Sequence, residues 1–491
     1  MPNIPCGQPI PNSTHAISLS LPTMRDVVGY EEKDLETIQK IYSGYPRFVT
    51  HPYVTRTQEL FAQKMGISDK KILALCSPIA AQHLYDFIQF DGTLFTDDHI
   101  TFVTVPFEQK YLASAQSFIQ HTGIAISSRS AEEYLLNHGA IETKPEEMLF
   151  TNNPEHHIKQ TLGKFYNNSS ENNIFLYNTG MTSLYTAFSA LHQTQKIQGK
   201  SEWIQLGWLY LDTMMLLQKI PSKLHTFTDV FNLENIEKLI ENNHSKIAGI
   251  ITEVTTNPLV QTPDITRLKT IAEQFNIPVI IDSSMATPCM VELLPHADIV
   301  IESLSKFASG NADLLMGAAI LNEHSPHYNS THTYCTQNNL FPFIGDTQRL
   351  AQHIGSYEKR METINNNTLQ LITYFSQHPT IKKVWWAKEE QTKTNFEKIA
   401  KYPEAVGGII TLEFHKPLKE IYDNLPLAKG PSFGTEFTLC MPYMYLAHYD
   451  LVSTKEGGQQ LDQLGINPEL VRLSVGLENP EEIIEAFNSV L

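Results

Sequence analysis

The chain has 491 residues, 42% hydrophobic and 18% charged, the proportions of a globular protein large enough for two or three domains. Its formal net charge of −17, with no long basic run, excludes a surface built to track nucleic-acid phosphates. Five scattered cysteines without a CxxC pair, no secretory-type N-terminus and no apolar run of membrane-spanning length lead to the expectation of a reduced, cytoplasmic setting with no membrane partner.

Residues 1–25 are Pro-rich and polar and read as an irregular arm. Residues 31–66 read as helical, with breaks at Gly44-Tyr45-Pro46 and His51-Pro52. Residues 70–150 alternate short apolar runs (ILALC, ITFVTV) with amphipathic stretches, a small inserted α/β region whose simplest role is packing. The Asn-rich segment 151–173 marks a domain boundary with a short helix inside it.

From 174 to 322 the rhythm changes. The runs IFLY, WIQLGW, IAGIITEV, PVIID, DIVIES and GAAIL are short and apolar on both sides, and helical patterns separate them. That is the signature of a mainly parallel sheet covered on both faces. Residues 345–380 read as one long helix, and the remainder alternates strands with helices. The division expected is an arm and insertion over 1–150, a sheet domain over 151–330 and an α+β domain over 331–491.

In open α/β sheets, ligands sit beyond the carboxyl ends of the strands. Asn178-Thr179-Gly180-Met181 follows one strand and opens a helix, whose free N–H groups suit a phosphate. Asp282 ends PVIID, while Ser303, Ser305 and Lys306 close or follow DIVIES. Taken singly, a strand-end Asp is a cap, a Lys after a strand is a solvated side chain, and Thr-Gly-Met is a helix start. Taken in order, they supply an acid for a pyridinium nitrogen, an amine for an aldehyde and a cradle for a phosphate, the needs of pyridoxal 5'-phosphate (PLP).

The block IDSSMATPCMVELLPHADIVIESLSKFASGNADLLMG resembles the core of the Cys/Met-metabolism PLP-dependent enzymes, with Asp282, Ala286-Thr287-Pro288, Ser303, Ser305-Lys306 and Gly310 at the matching positions. The resemblance implies an aspartate-aminotransferase-like (fold type I) sheet domain, an α+β C-terminal domain and an extended N-terminal region. It implies Lys306, Asp282 and Tyr210 as catalytic groups. TEVTTNPLVQTPDI is similar to the stretch that places Asn257 near the cofactor's phenolic oxygen, with Glu253 nearby. NTGM resembles the phosphate loop, implying Thr179 and the amides of Gly180 and Met181; LYLDT puts Tyr210 on the ring. SFGTEFTLCMP and VRLSVGLENPEEI imply Ser432 and Arg472 at the substrate carboxylate, a task suited to a planar guanidinium. GYPRFVTHP resembles the Tyr-x-Arg motif that reaches a neighbour's phosphate, implying Tyr45, Arg47 and a homodimer or homotetramer with shared sites.

The stretches LPTMRDVVGYEE, GYPRFVTHP and FIQHTGIAISSRSAEEYLL are similar to the long fungal-type cystathionine γ-synthases. That likeness implies condensation of an O-acyl-homoserine with cysteine. A lyase acting on cystathionine or methionine, and a non-catalytic relative, are the alternatives. Departures from the family pattern are Leu211 and Asp212 after the stacking Tyr, Ser283 after the acid, and Glu302 before Ser303; they bear on the substrate pocket rather than on PLP binding. Nineteen histidines include no metal-ligand spacing, so no metal is expected.

Overall fold

The computed structural model describes residues 4–44 and 49–491. Its centre is a seven-stranded sheet. The spatial order is Ile174–Tyr177, Gly317–Leu321, Ile299–Ser303, Val279–Asp282, Ile247–Glu253, Glu202–Leu206 and Lys223–Phe227. The five strands from Ile299–Ser303 to Lys223–Phe227 run parallel, and Gly317–Leu321 pairs antiparallel on both of its sides. The mainly parallel sheet expected from the apolar runs is therefore present.

The interior strands are mostly apolar because both faces are covered, while the edge strand Lys223–Phe227 is polar and partly exposed. Val279, Ile281 and Val300 enter one apolar cluster, while Ile280, Ile299 and Ile301 enter the other. The second cluster also takes Leu184 and Phe188 from the helix Gly180–Ile197, and Leu73, Leu84 and Phe118 from the insertion. The insertion thus shares a core with the central sheet. It contains a three-stranded antiparallel sheet with Ile100–Pro106 in the middle, flanked by the helices Pro78–Ile88, Gln109–Thr122 and Ser128–Asn137.

A five-stranded sheet forms the C-terminal part, in the order Ile381–Trp385, Ile409–Phe414, Val471–Ser474, Leu439–Pro442 and Ala428–Lys429. The long helix expected over 345–380 is two helices, Ile344–Ile354 and Tyr357–Gln377, separated at Gly355-Ser356. In the segment 151–173, the helix Pro154–Phe165 buries Ile158 and Leu162 completely in the main core.

The helical reading of 31–66 holds for Pro52–Met65, which starts on the His51 cap and stops at Gly66 with φ +66°. Before that point, among the described residues, helix is confined to the end of Met24–Glu31 and the short Leu35–Ile38. The arm is irregular but not loose. Pro9–Ile10 pairs with Ser18–Leu19, and residues 15–21 are buried. Leu21 donates to the Lys429 carbonyl (2.9 Å), Ser18 Oγ to that of Pro431 (2.6 Å), and Tyr422 Oη to that of Leu21 (2.9 Å). Among the described residues no helix is long and apolar enough to cross a membrane.

Candidate active site

One cavity of about 200 Å³ opens at the carboxyl ends of the parallel strands. Thr179, Gly180, Met181, Tyr210, Asn257, Asp282, Ser303, Ser305 and Lys306 all line it, as does Glu253. Strand register explains the meeting. Asp282 pairs with Glu253 on one side and Ile301 on the other, so Glu253, Asp282 and Ser303 share a face of the sheet.

The two carboxylates are buried side by side. Burial drives Glu253 well above its ordinary value, and the neighbouring Asp282 charge drives it further. Burial raises Asp282 too, but the Ser284 amide (2.8 Å to Oδ1) and Lys306 oppose the rise. Of the pair, Glu253 is therefore pushed further toward its protonated form than Asp282. Glu253 Oε1 accepts the Tyr210 amide at 2.6 Å, which fixes the start of the helix Leu211–Leu217 that Tyr210 caps.

At the other end of the cavity, Gly180 and Met181 open an 18-residue helix, where N–H groups have no intrahelical acceptor and the helix dipole is positive. A Cβ on Gly180 would lie 2.8 Å from that of Ser303, so only glycine lets this loop pack onto the strand end. Ser305 lines the cavity, but its hydroxyl is engaged with the Met316 backbone, donating at 3.2 Å and accepting at 3.0 Å. Amide donors, the Ser303 hydroxyl, an aromatic ring, a pair of buried carboxylates and a lysine amine around one cavity form a donor set that fits PLP.

Lys306 is only 6% exposed, and its Nζ donates to Ser432 Oγ at 2.9 Å and lies 5.0 Å from the centre of the Phe433 ring. Arg472 lies in the buried strand Val471–Ser474. It donates to the Ser432 carbonyl (2.7 Å) and to Asn257 Oδ1 (3.4 Å), between the rings of Phe433 and Tyr443. Ser432 has φ +92°, a strained value for a residue with a side chain. Tyr45 and Arg47 lie outside the described residues.

Several features escaped the sequence reading. Phe433 sits inside the quoted SFGTEF but reads there as packing. Ser284 accepts the Ser303 amide through Oγ (2.7 Å) and so ties two strand ends together. Ile119, Gln120, Gly123, Ala125 and Ile126 of the insertion line the cavity as well; the one signal for them is a glycine closing an amphipathic helix. Glu302 faces away from the cavity, accepting from Tyr166 (2.9 Å) and Tyr357 (2.8 Å). Burial pushes it up to about 7.

Comparison with known proteins agrees with this geometry. Residues 149–491 match the family described as Cys/Met metabolism PLP-dependent enzyme. The chain is 35% identical to an L-2-amino-4-chloropent-4-enoate dechlorinase/desaturase of Streptantibioticus cattleyicolor, over 98% of this chain and 97% of that one. It is 24% identical to a cystathionine gamma-synthase of Neurospora crassa, over 100% of this chain and 98% of the other. A cystathionine gamma-lyase of Lactobacillus plantarum shares the fold with TM-score 0.59 and 20% identity, over 69% of this chain and 87% of that chain. A cystathionine gamma synthase of Xanthomonas oryzae pv. oryzae does so with TM-score 0.59 and 16% identity, over 69% and 85%. With the lysine, the carboxylate and the helix start gathered in one cavity, the chain belongs to the Cys/Met-metabolism PLP-dependent enzymes.

Proposed function

We propose that this enzyme expels a substituent from Cγ of a small L-2-amino acid. The observation that carries the proposal is the placement of Lys306 between the Asp282–Glu253 pair and the Ser432–Arg472 corner. Bound there, PLP supplies the electron sink that makes Cα acidic.

The chain's own residues do the rest. Arg472, held at a fixed angle by the Ser432 carbonyl and Asn257, grips the substrate carboxylate and leaves Cα above the Lys306 amine. Lys306 Nζ takes the Cα proton and serves Cβ on the same face, and Ser432 Oγ keeps the amine aimed. Asp282, whose rise is opposed by the Ser284 amide and Lys306, would face the pyridine nitrogen, and Glu253 fixes Tyr210 through its amide. Leu315, Ile126 and Phe433 line the cavity with apolar surface that excludes water. On this reading the enzyme works as a homodimer or homotetramer with shared sites.

Two endings share this step. Addition of the cysteine thiol at Cγ gives cystathionine and is the ending that the synthase-like motifs support. Loss of the substituent without replacement is the ending favoured by the end-to-end likeness to a dechlorinase/desaturase. Purified enzyme is mixed with an O-acyl-homoserine, with and without cysteine, and with 2-amino-4-chloropent-4-enoate. Leaving-group release that Lys306→Ala abolishes is the expected result. Cystathionine formed only in the presence of cysteine assigns replacement, and release without a thiol assigns elimination. No release from any γ-substituted amino acid would overturn the proposal.

A further inference from the structure

The insertion reaches the cavity through one turn. The helix Gln109–Thr122 ends at Gly123, with φ +69°, and the chain turns back through Ala125 toward the helix Ser128–Asn137. A Cβ on Gly123 would lie 2.0 Å from Thr179 Oγ1, so the turn sits directly on the N-cap of the helix Gly180–Ile197.

Side-chain donors hold it there. Asn178 Nδ2, 3% exposed as a residue, donates to the carbonyls of Gly123 (2.9 Å) and Ala125 (2.7 Å). Thr182 Oγ1 is 3.0 Å from the carbonyl oxygens of both Thr122 and Gly123. A second tie lies one helix away, where His121 Nδ1 meets Asp212 Oδ1 at 2.9 Å. Asp212 belongs to the helix that Tyr210 caps. The same short segment therefore braces both the helix start and the helix of the ring-facing tyrosine.

The electrostatics favour an anion. Carbonyl oxygens brought up to a positive helix end would compete with a phosphate for its N–H groups. Here those oxygens accept from Asn178 and Thr182, and Gly180 and Met181 line the cavity at the helix start. We propose that the Gly123 turn is a clasp by which the insertion sets how tightly the enzyme holds the phosphate end of its cofactor. The inference rests on the placement of that phosphate at the Gly180–Met181 helix start, and makes the insertion a positioning device rather than a packing extension alone.

The test compares apo-protein titrated with PLP and with pyridoxal, which lacks the phosphate, followed by visible absorbance. Asn178→Ala and Thr182→Val each remove clasp donors; Thr182→Ser keeps the hydroxyl. In the first two, PLP affinity falls about tenfold or more while pyridoxal affinity stays within about twofold of wild type, and Thr182→Ser restores PLP binding. If Asn178→Ala does not fold, Thr182→Val, which preserves shape, carries the test. Unchanged PLP affinity, or equal losses for the two ligands, would overturn the clasp. A wild-type chain that binds PLP no better than pyridoxal would overturn the phosphate placement beneath it.

Discussion

Arg472 shows how a single residue can be legible in sequence while its geometry is not. An arginine within the apolar run VRLSVGL already points to a buried ion-pairing task. Its orientation depends on Ser432 and Asn257, which are far away in the chain. Replacing Arg472 with Lys keeps the charge and loses the fork. The specificity constant kcat/KM falls by about 100-fold, as expected for losing a charged hydrogen bond worth roughly 2–3 kcal/mol. Most of that loss appears in KM for the amino acid, with the cofactor band retained. Glu302 is a different case, a family departure whose place the sequence could not supply. In the unfolded chain it ionises near its ordinary value of 4.5, while in the fold burial holds its proton to about 7. The folded state binds more protons across that interval, so stability from this group falls as pH rises from about 4.5 to about 7. The full cost above pH 7 is roughly 3 kcal/mol. Glu302→Gln removes that slope. Its stability relative to wild type, measured by urea unfolding, is greater at pH 8 than at pH 5.

At the scale of elements, six of the seven central strands are readable because being covered on both faces leaves one dense apolar signal, which the exposed edge strand Lys223–Phe227 lacks. Asp282 and Lys306 were readable because they sit at the ends of such strands. The segment 151–173 was read as a boundary, since its many asparagines outweigh a few apolar positions. Yet Ile158 and Leu162 recur at helical spacing and are fully buried. Leu162→Ala therefore destabilises by about 2–5 kcal/mol, whereas Gln160→Ala on the exposed face of the same helix changes stability by less than about 0.5 kcal/mol, both read from thermal unfolding. The Gly123 turn was beyond local reading for a different reason. Helix propensity and a C-terminal glycine explain why the helix stops, but nothing local says that Thr179 waits opposite. The long-helix reading of 345–380 missed Gly355 because the apolar periodicity continues on both sides of it, and the break shows only in the fold.

The whole molecule joins its ends at the site. Residues 17–21 of the arm run over the segment 428–431, and a Cβ on Gly430 would lie 2.1 Å from the Leu19 carbonyl oxygen. Two residues further on is Ser432, at φ +92° beside Lys306. A backbone strained by about 1–3 kcal/mol persists only where its surroundings enforce it, and the arm is part of that surrounding. Removing residues 1–21 therefore raises KM for the amino acid about tenfold or more through Arg472 and Ser432. PLP affinity, which the proposal places largely at the Gly180–Met181 helix start, changes less. Parallel titrations of the two ligands check the difference.

The same crossing has a consequence for the order in which the protein is made. A chain leaving the ribosome delivers the arm first, but the carbonyls of Lys429 and Pro431 that receive it come near the end of synthesis. The arm must stay unpaired through most of translation, with Ile17, Leu19 and Leu21 exposed to every other nascent chain. The central sheet can assemble around Asp282 and Lys306 before that moment; the corner that receives a substrate cannot. The corner around Ser432 and Arg472 is therefore completed only when the last strands arrive.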